Sequence, residues 1–170
     1  MSFYADRIMP RMIAAGMQNK AMRRYRPRIP PLARGRVLEI GIGSGLNLPY
    51  YGREVTRVFG LEPSEFLRNQ AAEAGRSAPF PVELLSAGAE SIPLDSRSVD
   101  TVVSTWTLCS IPDLDAALGE IRRVLRPDGR LLFFEHGRAP DASVSRWQDR
   151  LAPLFRGLAG CNPNRQIDAS

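Results

Sequence analysis

The sequence contains few of the residues that build metal sites and disulfide frameworks. Its 170 residues include two cysteines, Cys109 and Cys161, and a single histidine, His136. Two cysteines so far apart in sequence lack the spacing of a zinc motif or of a disulfide scaffold. We therefore predict no metal site. Such sparse cysteine is typical of the reducing cytoplasm, where we expect the protein to reside.

Long hydrophobic runs are absent as well. No stretch of about 18 apolar residues occurs, so the sequence predicts no transmembrane helix. Asp6 and Arg7 fall where a signal peptide would carry its apolar centre. With 44% hydrophobic and 24% charged residues, the composition is that of a globular protein. We expect a single domain over residues 1–170.

Positive charge is concentrated at the N-terminus. The formal net charge is +5, yet the first 36 residues contain nine arginine or lysine residues and one acidic residue. Residues 1–30, called the N-terminal arm below, also contain the methionine cluster Met9, Met12, Met17 and Met22. We predict a helical cap over a substrate site. The same basic, apolar arm suits peripheral contact with an anionic membrane.

Strand and helix patterns alternate after this arm. Short apolar runs rich in Val, Leu, Ile and Phe predict buried strands at 36–40, 56–61, 82–86, 99–104 and 130–135. Helical periodicity covers 64–75, 113–125 and 143–158, and Pro127-Asp128-Gly129 predicts a turn. This alternation predicts an α/β fold with a doubly wound parallel sheet.

The first predicted strand runs into a glycine-rich turn, in the stretch VLEIGIGSG at 37–45. A dinucleotide fingerprint would place its third glycine at position 46, which is Leu46, and no phosphate-binding G-K-[ST] sequence follows. Glu39, within the end of the strand, suits a ligand that carries positive charge. The turn alone leaves the ligand open.

Four motifs in order resemble class I S-adenosylmethionine-dependent methyltransferases. They are VLEIGIGSG, GLEPS at 60–64, AGAESIPLDSRSVDTVVS at 87–104 and ALGEIRRVLRPDGRLLFFEHG at 117–137. The resemblance implies a Rossmann-like, three-layer α/β/α fold with strand order 3-2-1-4-5 and S-adenosyl-L-methionine as cofactor. It also implies two further C-terminal strands in a hairpin, but no strand pattern follows Ile167. We expect a shortened member whose open fifth strand favours homo-oligomers.

The resemblance also implies the cofactor site. Glu62 corresponds to the acid that binds the ribose hydroxyls, and the glycines let the backbone approach the amino-acid end of the cofactor. Gly88 stands where many relatives have an aspartate for the adenine amino group. The predicted cofactor-binding residues are Tyr4, Glu39, Gly41, Gly43, Gly45, Glu62, Pro63, Ala89, Glu90 and Thr105.

Further motifs resemble small methyltransferase-like thiol methyltransferases and phospholipid methyltransferase-like proteins. They are LCSIPD at 108–113, EHG at 135–137, RWQDRLAP at 146–153 and GCNPNR at 160–165. This likeness implies a small apolar or amphipathic acceptor, with a thiol favoured. No N-P-P-[YFW] motif follows the fourth strand, so we do not expect a nucleic-acid substrate.

His136 is the predicted general base, because it follows the fifth strand and an imidazole titrates near neutral pH. Two alternatives stay open from the sequence. One is an S-adenosylmethionine-binding protein with little turnover, and the other is a lipid or quinone methyltransferase at a membrane surface.

Overall fold

The computed structural model of the chain describes Tyr4 and residues 8–165. Five parallel strands form one sheet in the order β3-β2-β1-β4-β5, which confirms the predicted topology. The strands are β1 (Gly35–Ile40), β2 (Val55–Leu61), β3 (Val82–Leu85), β4 (Val99–Thr105) and β5 (Leu125–Phe134). The chain reverses its winding between β1 and β4, and ligands of such sheets bind at this point.

Five α-helices accompany the sheet, namely α1 (Met9–Gly16), α2 (Lys20–Tyr25), α3 (Glu65–Gly75), α4 (Leu114–Val124) and α5 (Ala142–Ala159). Short polar side chains cap four of them, and Asn19 of α2 is described below. Ser64 accepts a hydrogen bond from the Leu67 amide, Asp113 from that of Ala116, and Asp141 from those of Ser143 and Val144. Because a cap satisfies an amide that the helix leaves free, these residues mark where each helix begins.

The central strands bury both faces, as their continuous apolar sequences predict. Leu38 and Val102 pack on one face of the sheet, in a cluster that includes Ile121 of α4. Val37 and Val103 pack on the other face, in a cluster that includes Ala71 of α3. Helices therefore cover both faces, in agreement with the three-layer prediction.

Two local predictions need correction. The N-terminal helix is divided into α1 and α2, because Asn19 accepts a hydrogen bond from the Met22 amide and starts a new helix. The segment Pro127-Asp128-Gly129 lies within β5 rather than in a separate turn. There the pairing with β4 shifts from Val99–Leu125 to Thr101–Arg130, so the segment is a bulge in the strand.

The outer edge of the sheet is exposed in the part of the chain that the structure describes. β5 pairs with β4 on one side only, and Phe133 of β5 is half exposed. α5 also presents an apolar face to solvent, formed by Val144, Trp147, Leu151, Leu154 and Phe155. No described helix is long and apolar enough to cross a membrane.

A buried polar network joins the N-terminal arm to the centre of the sheet. The Glu39 carboxylate accepts hydrogen bonds from Asn47 Nδ2 at 2.7 Å and from the Tyr51 hydroxyl at 2.8 Å. Asn47 Nδ2 also donates to Thr105 Oγ1, and Asn47 Oδ1 accepts from Arg26 Nη1. These contacts fix the chain that follows α2 against the carboxyl ends of β1 and β4.

Burial makes this network sensitive to pH. Desolvation raises the pKa of Glu39 to about 7, although hydrogen bonds from Tyr51 and Asn47 and the charge of Arg26 favour the ionised form. Because the folded protein holds this proton more tightly than the unfolded chain, the contribution of Glu39 to stability is full below its ordinary pKa. It is lost as the pH rises through about 7.

We predict that Glu39→Gln removes this part of the pH dependence. The measured quantity is the free energy of unfolding of the wild type minus that of the variant. As the pH rises from 4.5 to 7, this difference should fall by about 3 kcal/mol, since one pKa unit corresponds to about 1.4 kcal/mol. Above about pH 8 the difference should level off. Urea titrations across this range measure it, and a difference that does not change with pH would contradict the assignment.

Candidate cofactor cleft

A cleft of about 310 Å³ opens at the carboxyl ends of β1, β2 and β4. The glycine turn that follows β1 forms its floor, and Glu62 and Pro63 line it after β2. α1 lies over the opening and contributes Met9, Ile13 and Ala14 to the lining. The volume falls in the range of small-molecule sites, about 300–1,000 Å³.

The glycine turn has the backbone that a close ligand approach requires. Gly41, Gly43 and Gly45 have φ values of +64°, +56° and +78°, which side chains other than glycine rarely adopt. A Cβ at Gly41 would collide with Thr107, whereas one at Gly43 would meet open space within the cleft. Gly41 thus serves packing, and Gly43 leaves room for a ligand beside the backbone.

Glu62 lies at the point where the resemblance implies a ribose-binding acid. Its side chain is 7% exposed, and its Oε1 accepts a hydrogen bond from the Ser64 amide at 2.9 Å. Desolvation raises its pKa, against backbone hydrogen bonds from Ser64 and Gly43 and the charge of Arg68. A buried carboxylate that lines a cleft and retains acceptor capacity fits a vicinal diol.

Most of the other predicted cofactor residues also line the cleft. Glu39, Ala89, Glu90 and Thr105 do so. Tyr4 is not among the described residues that line it, and its hydroxyl lies 4.0 Å from Met12 Sδ. The roles of all these residues in binding stay predictions.

Three residues that sequence reasoning missed surround Glu39, and two of them, Arg26 and Asn47, line the cleft. Arg26 is 6% exposed, donates to Asn47 and lies 5.2 Å from the centre of the Trp106 ring. Asn47 and Tyr51 hold the two oxygens of Glu39. The sequence feature that could have identified Asn47 is its position directly after the glycine turn, where it is an amide residue within an otherwise apolar stretch.

Much of the rest of the lining is apolar. Ile13 and Met17 of the N-terminal arm contribute to it, together with Trp106, Ile111 and Pro112 after β4. Trp106 has a φ of +55°, a strained conformation for an aromatic residue in a site-forming loop. The arm therefore forms part of the cleft wall, as the cap prediction requires.

His136 lies outside the cleft lining, in contact with the two cysteines. Its Nε2 is 3.1 Å from Cys161 Sγ, which is 3.2 Å from Cys109 Sγ. Burial lowers the pKa of His136. Sequence spacing gave no sign that these residues meet, because folding brings the ends of β4, β5 and α5 together. The role of His136 as general base stays a prediction.

Comparisons with known proteins agree with this geometry. The family model described as "Methyltransferase domain" matches residues 38–133. Thiol S-methyltransferase TMT1B of Rattus norvegicus is 34% identical over 138 residues, which cover 76% of this chain and 55% of the relative. Human thiol S-methyltransferase TMT1A is 35% identical over 136 residues, with the same coverage. The chain spans about half the length of these curated relatives.

A more distant curated relative and two solved structures extend the picture. Phosphatidylethanolamine N-methyltransferase of Cereibacter sphaeroides is 32% identical over 117 residues, which cover 66% of this chain and 57% of the relative. The YcgJ protein of Bacillus subtilis has a TM-score of 0.70 at 23% identity. The matched region covers 81% of this chain and 58% of the YcgJ chain.

The same fold occurs in an S-adenosylmethionine-dependent methyltransferase from Thermotoga maritima, with a TM-score of 0.69 at 22% identity. The matched region covers 96% of this chain and 75% of the Thermotoga chain. The family model matches more than half of the chain, and its matched residues include the glycine turn and Glu62. The chain therefore belongs to the family of S-adenosylmethionine-dependent methyltransferases.

Proposed function

We propose that this chain transfers a methyl group from S-adenosylmethionine to a small apolar or amphipathic acceptor, with a thiol as the favoured nucleophile. The observation that carries this proposal is the composition of a single cleft. Its lining combines an open glycine turn and the buried Glu62 carboxylate with a large set of apolar side chains. This arrangement suits a polar cofactor beside an apolar acceptor.

The residues present fit the cofactor. Glu62 would hold the ribose hydroxyls, the turn at Gly41–Gly45 would hold the amino-acid end, and Ala89 and Glu90 would lie toward the base. The carboxylate of Glu39 suits the cationic part of the ligand, and Pro63, Thr105 and Tyr4 would complete the site. When bound, S-adenosylmethionine supplies an electrophilic methyl group on a sulfonium.

The chemistry of the lining favours a thiol acceptor. Within the described lining, the ionisable side chains are Arg26, Glu39, Glu62 and Glu90, with no histidine, lysine or cysteine. A thiol ionises near pH 8.5, so it needs less help from a base than an alcohol does. An apolar wall also excludes water from the nucleophile. The similarity to relatives named as thiol S-methyltransferases supports this choice.

We predict that Glu62→Ala weakens S-adenosylmethionine binding by about 1.5–3 kcal/mol, the range for hydrogen bonds to a charged group. Isothermal titration calorimetry measures the change. Glu73→Ala, which removes an exposed acid from α3, is the matched control and should bind as the wild type does. Unchanged affinity in a folded Glu62→Ala protein would remove Glu62 from the site. Binding of NADH instead of S-adenosylmethionine would contradict the assignment of S-adenosylmethionine as the cofactor.

We also predict faster methylation of an alkane thiol than of the matching amine or alcohol. Ile13→Asp should raise the KM for the thiol on the order of tenfold, because Ile13 lines the apolar wall. Met12→Asp changes an exposed neighbour on the same helix and is the control. Mass spectrometry of the methylated product measures both. Cofactor binding without turnover of any acceptor would favour the binding-protein alternative.

A membrane-surface lipid or quinone acceptor is a second candidate. The observation that favours it is the exposed apolar face of α5, a helix that contacts α1 of the arginine-rich N-terminal arm. The phosphatidylethanolamine methyltransferase relative supports the same reading. Homo-oligomers through the β5 edge remain a separate prediction, as does a cytoplasmic location.

For this second candidate we predict that the protein sediments with anionic vesicles at low salt and is released as salt increases. Arg23→Glu combined with Arg24→Glu should reduce the bound fraction, since both arginines are exposed on α2. Arg76→Glu combined with Arg122→Glu, which changes exposed arginines at the C-terminal ends of α3 and α4, is the charge-matched control. Equal sedimentation with neutral and anionic vesicles, or sedimentation with neither, would contradict electrostatic binding of the arm to a membrane. The arm would then be only a cap over the cleft.

A further inference from the structure

Cys109, His136 and Cys161 converge on one point beside the cleft, although they come from three separate parts of the chain. Cys109 lies in the short 3-10 helix after β4, His136 two residues after β5, and Cys161 two residues after α5. Their potential ligand atoms all lie within 4.8 Å of one another. No contact described for the cofactor or acceptor uses them.

We propose that these three side chains form a binding site for a zinc-class cation. Two thiolates and an imidazole are the ligands that Zn²⁺ and related borderline or soft ions prefer over Mg²⁺ or Ca²⁺. Zn–S bonds of about 2.3 Å in a tetrahedron separate two sulfurs by about 3.8 Å. The sulfurs here are 3.2 Å apart, so small side-chain rotations open the site to that spacing.

The backbone around the ligands is already held in place without an ion. The Asn162 amide and its side-chain Nδ2 both donate to the Cys109 carbonyl, at 3.0 and 3.2 Å. Arg165 Nη1 donates to the carbonyls of Leu108 and Ile111 at 2.7 and 2.6 Å. A preformed ligand arrangement lowers the ordering cost of metal binding.

An acidic group lies beside the proposed ligands. The Glu135 carboxylate precedes His136, and its charge acts on both thiols, while the charge of Arg165 acts on Cys161 in the opposite sense. Its Oε1 accepts three hydrogen bonds, from Ser104, Thr107 and Leu108, whereas its buried Oε2 has no hydrogen-bond partner among the described residues. A bound cation would offset this concentration of acidic groups.

A metal accounts for the position of His136 better than a disulfide does. A Cys109–Cys161 disulfide would join the sulfurs and leave the contact of the exposed imidazole with Cys161 without a function. A metal uses all three groups, releases one proton from each thiol and leaves a fourth position for water or an exchangeable ligand. Because Ser110, Ile111 and Gly160 flank the ligands and line the cleft, the ion would also fasten that wall.

The test uses the full chain, reduced and stripped of metal. Any polyhistidine tag is removed, because the chain itself contains a single histidine, His136, and tag histidines would bind the metal too. We expect one Zn²⁺ per chain by elemental analysis, and a sulfur-to-metal charge-transfer band when Co²⁺ replaces it. His136→Gln and Cys161→Ser should each weaken Zn²⁺ affinity at least tenfold in competition with a chromophoric chelator. Asn164→Ala, a change in the same segment at a residue that supplies no ligand, should leave affinity unchanged.

The Co²⁺ spectrum of the wild type decides the question even where a variant does not fold. Absence of both the band and bound Zn²⁺ in the reduced, folded protein would overturn the site. A Cys109–Cys161 disulfide that persists under reducing conditions without bound metal would also overturn the site. It would lower the mass of the protein by two hydrogens. Equal affinity in all the variants would place the metal elsewhere.

Discussion

The pairing of β1 between β2 and β4 is the constraint on which the cleft depends. Because β1 continues into β2 on one side, while β4, which is reached from β3, lies on its other side, the strand order reverses at β1 and leaves a crevice at its carboxyl end. The chain leaves this strand through three glycines with positive φ, so the turn stays low and the space above it stays open. Glu62, at the end of the neighbouring strand, then borders the same space.

Burial of charge at this point costs stability, and the structure limits that cost with hydrogen bonds rather than with a direct ion pair. Glu39 shares its two oxygens between Asn47 and Tyr51, and Asn47 stands between the carboxylate and Arg26. One buried nitrogen of Arg26, Nε, has no hydrogen-bond partner in the part of the chain that the structure describes. Networks of this kind are retained where position matters more than stability, as at the hinge between an arm and a ligand cleft.

The segments after β5 complete the site from the other side. The loop that contains Cys161 is bonded to the loop that contains Cys109, and residues from both loops line the cleft. The proposed cation site would therefore lie directly behind this wall of the cleft. The N-terminal arm also contributes to the lining, so both ends of the described chain shape the cleft.

Sequence alone determined the features that depend on local pattern and on linear order. Strand runs such as 99–104, helix caps such as Ser64 and Asp113, and the glycine turn were each readable because their signals lie within a few residues. The parallel order of the sheet followed from the alternation of strands and helices together with the family resemblance. Glu62 was found through the resemblance, in which GLEPS corresponds to the family's ribose-binding acid at the end of the second strand.

Tertiary structure decided what depends on distant residues meeting. The Arg26–Asn47–Glu39 network joins an arm, a turn and a strand, and no periodicity in the sequence connects those positions. The bulge at Pro127–Gly129 depends on the register with β4 rather than on the turn propensity of its residues. The meeting of Cys109, His136 and Cys161 has the same origin, because only the parallel sheet and the return of α5 bring those three chain segments to one edge.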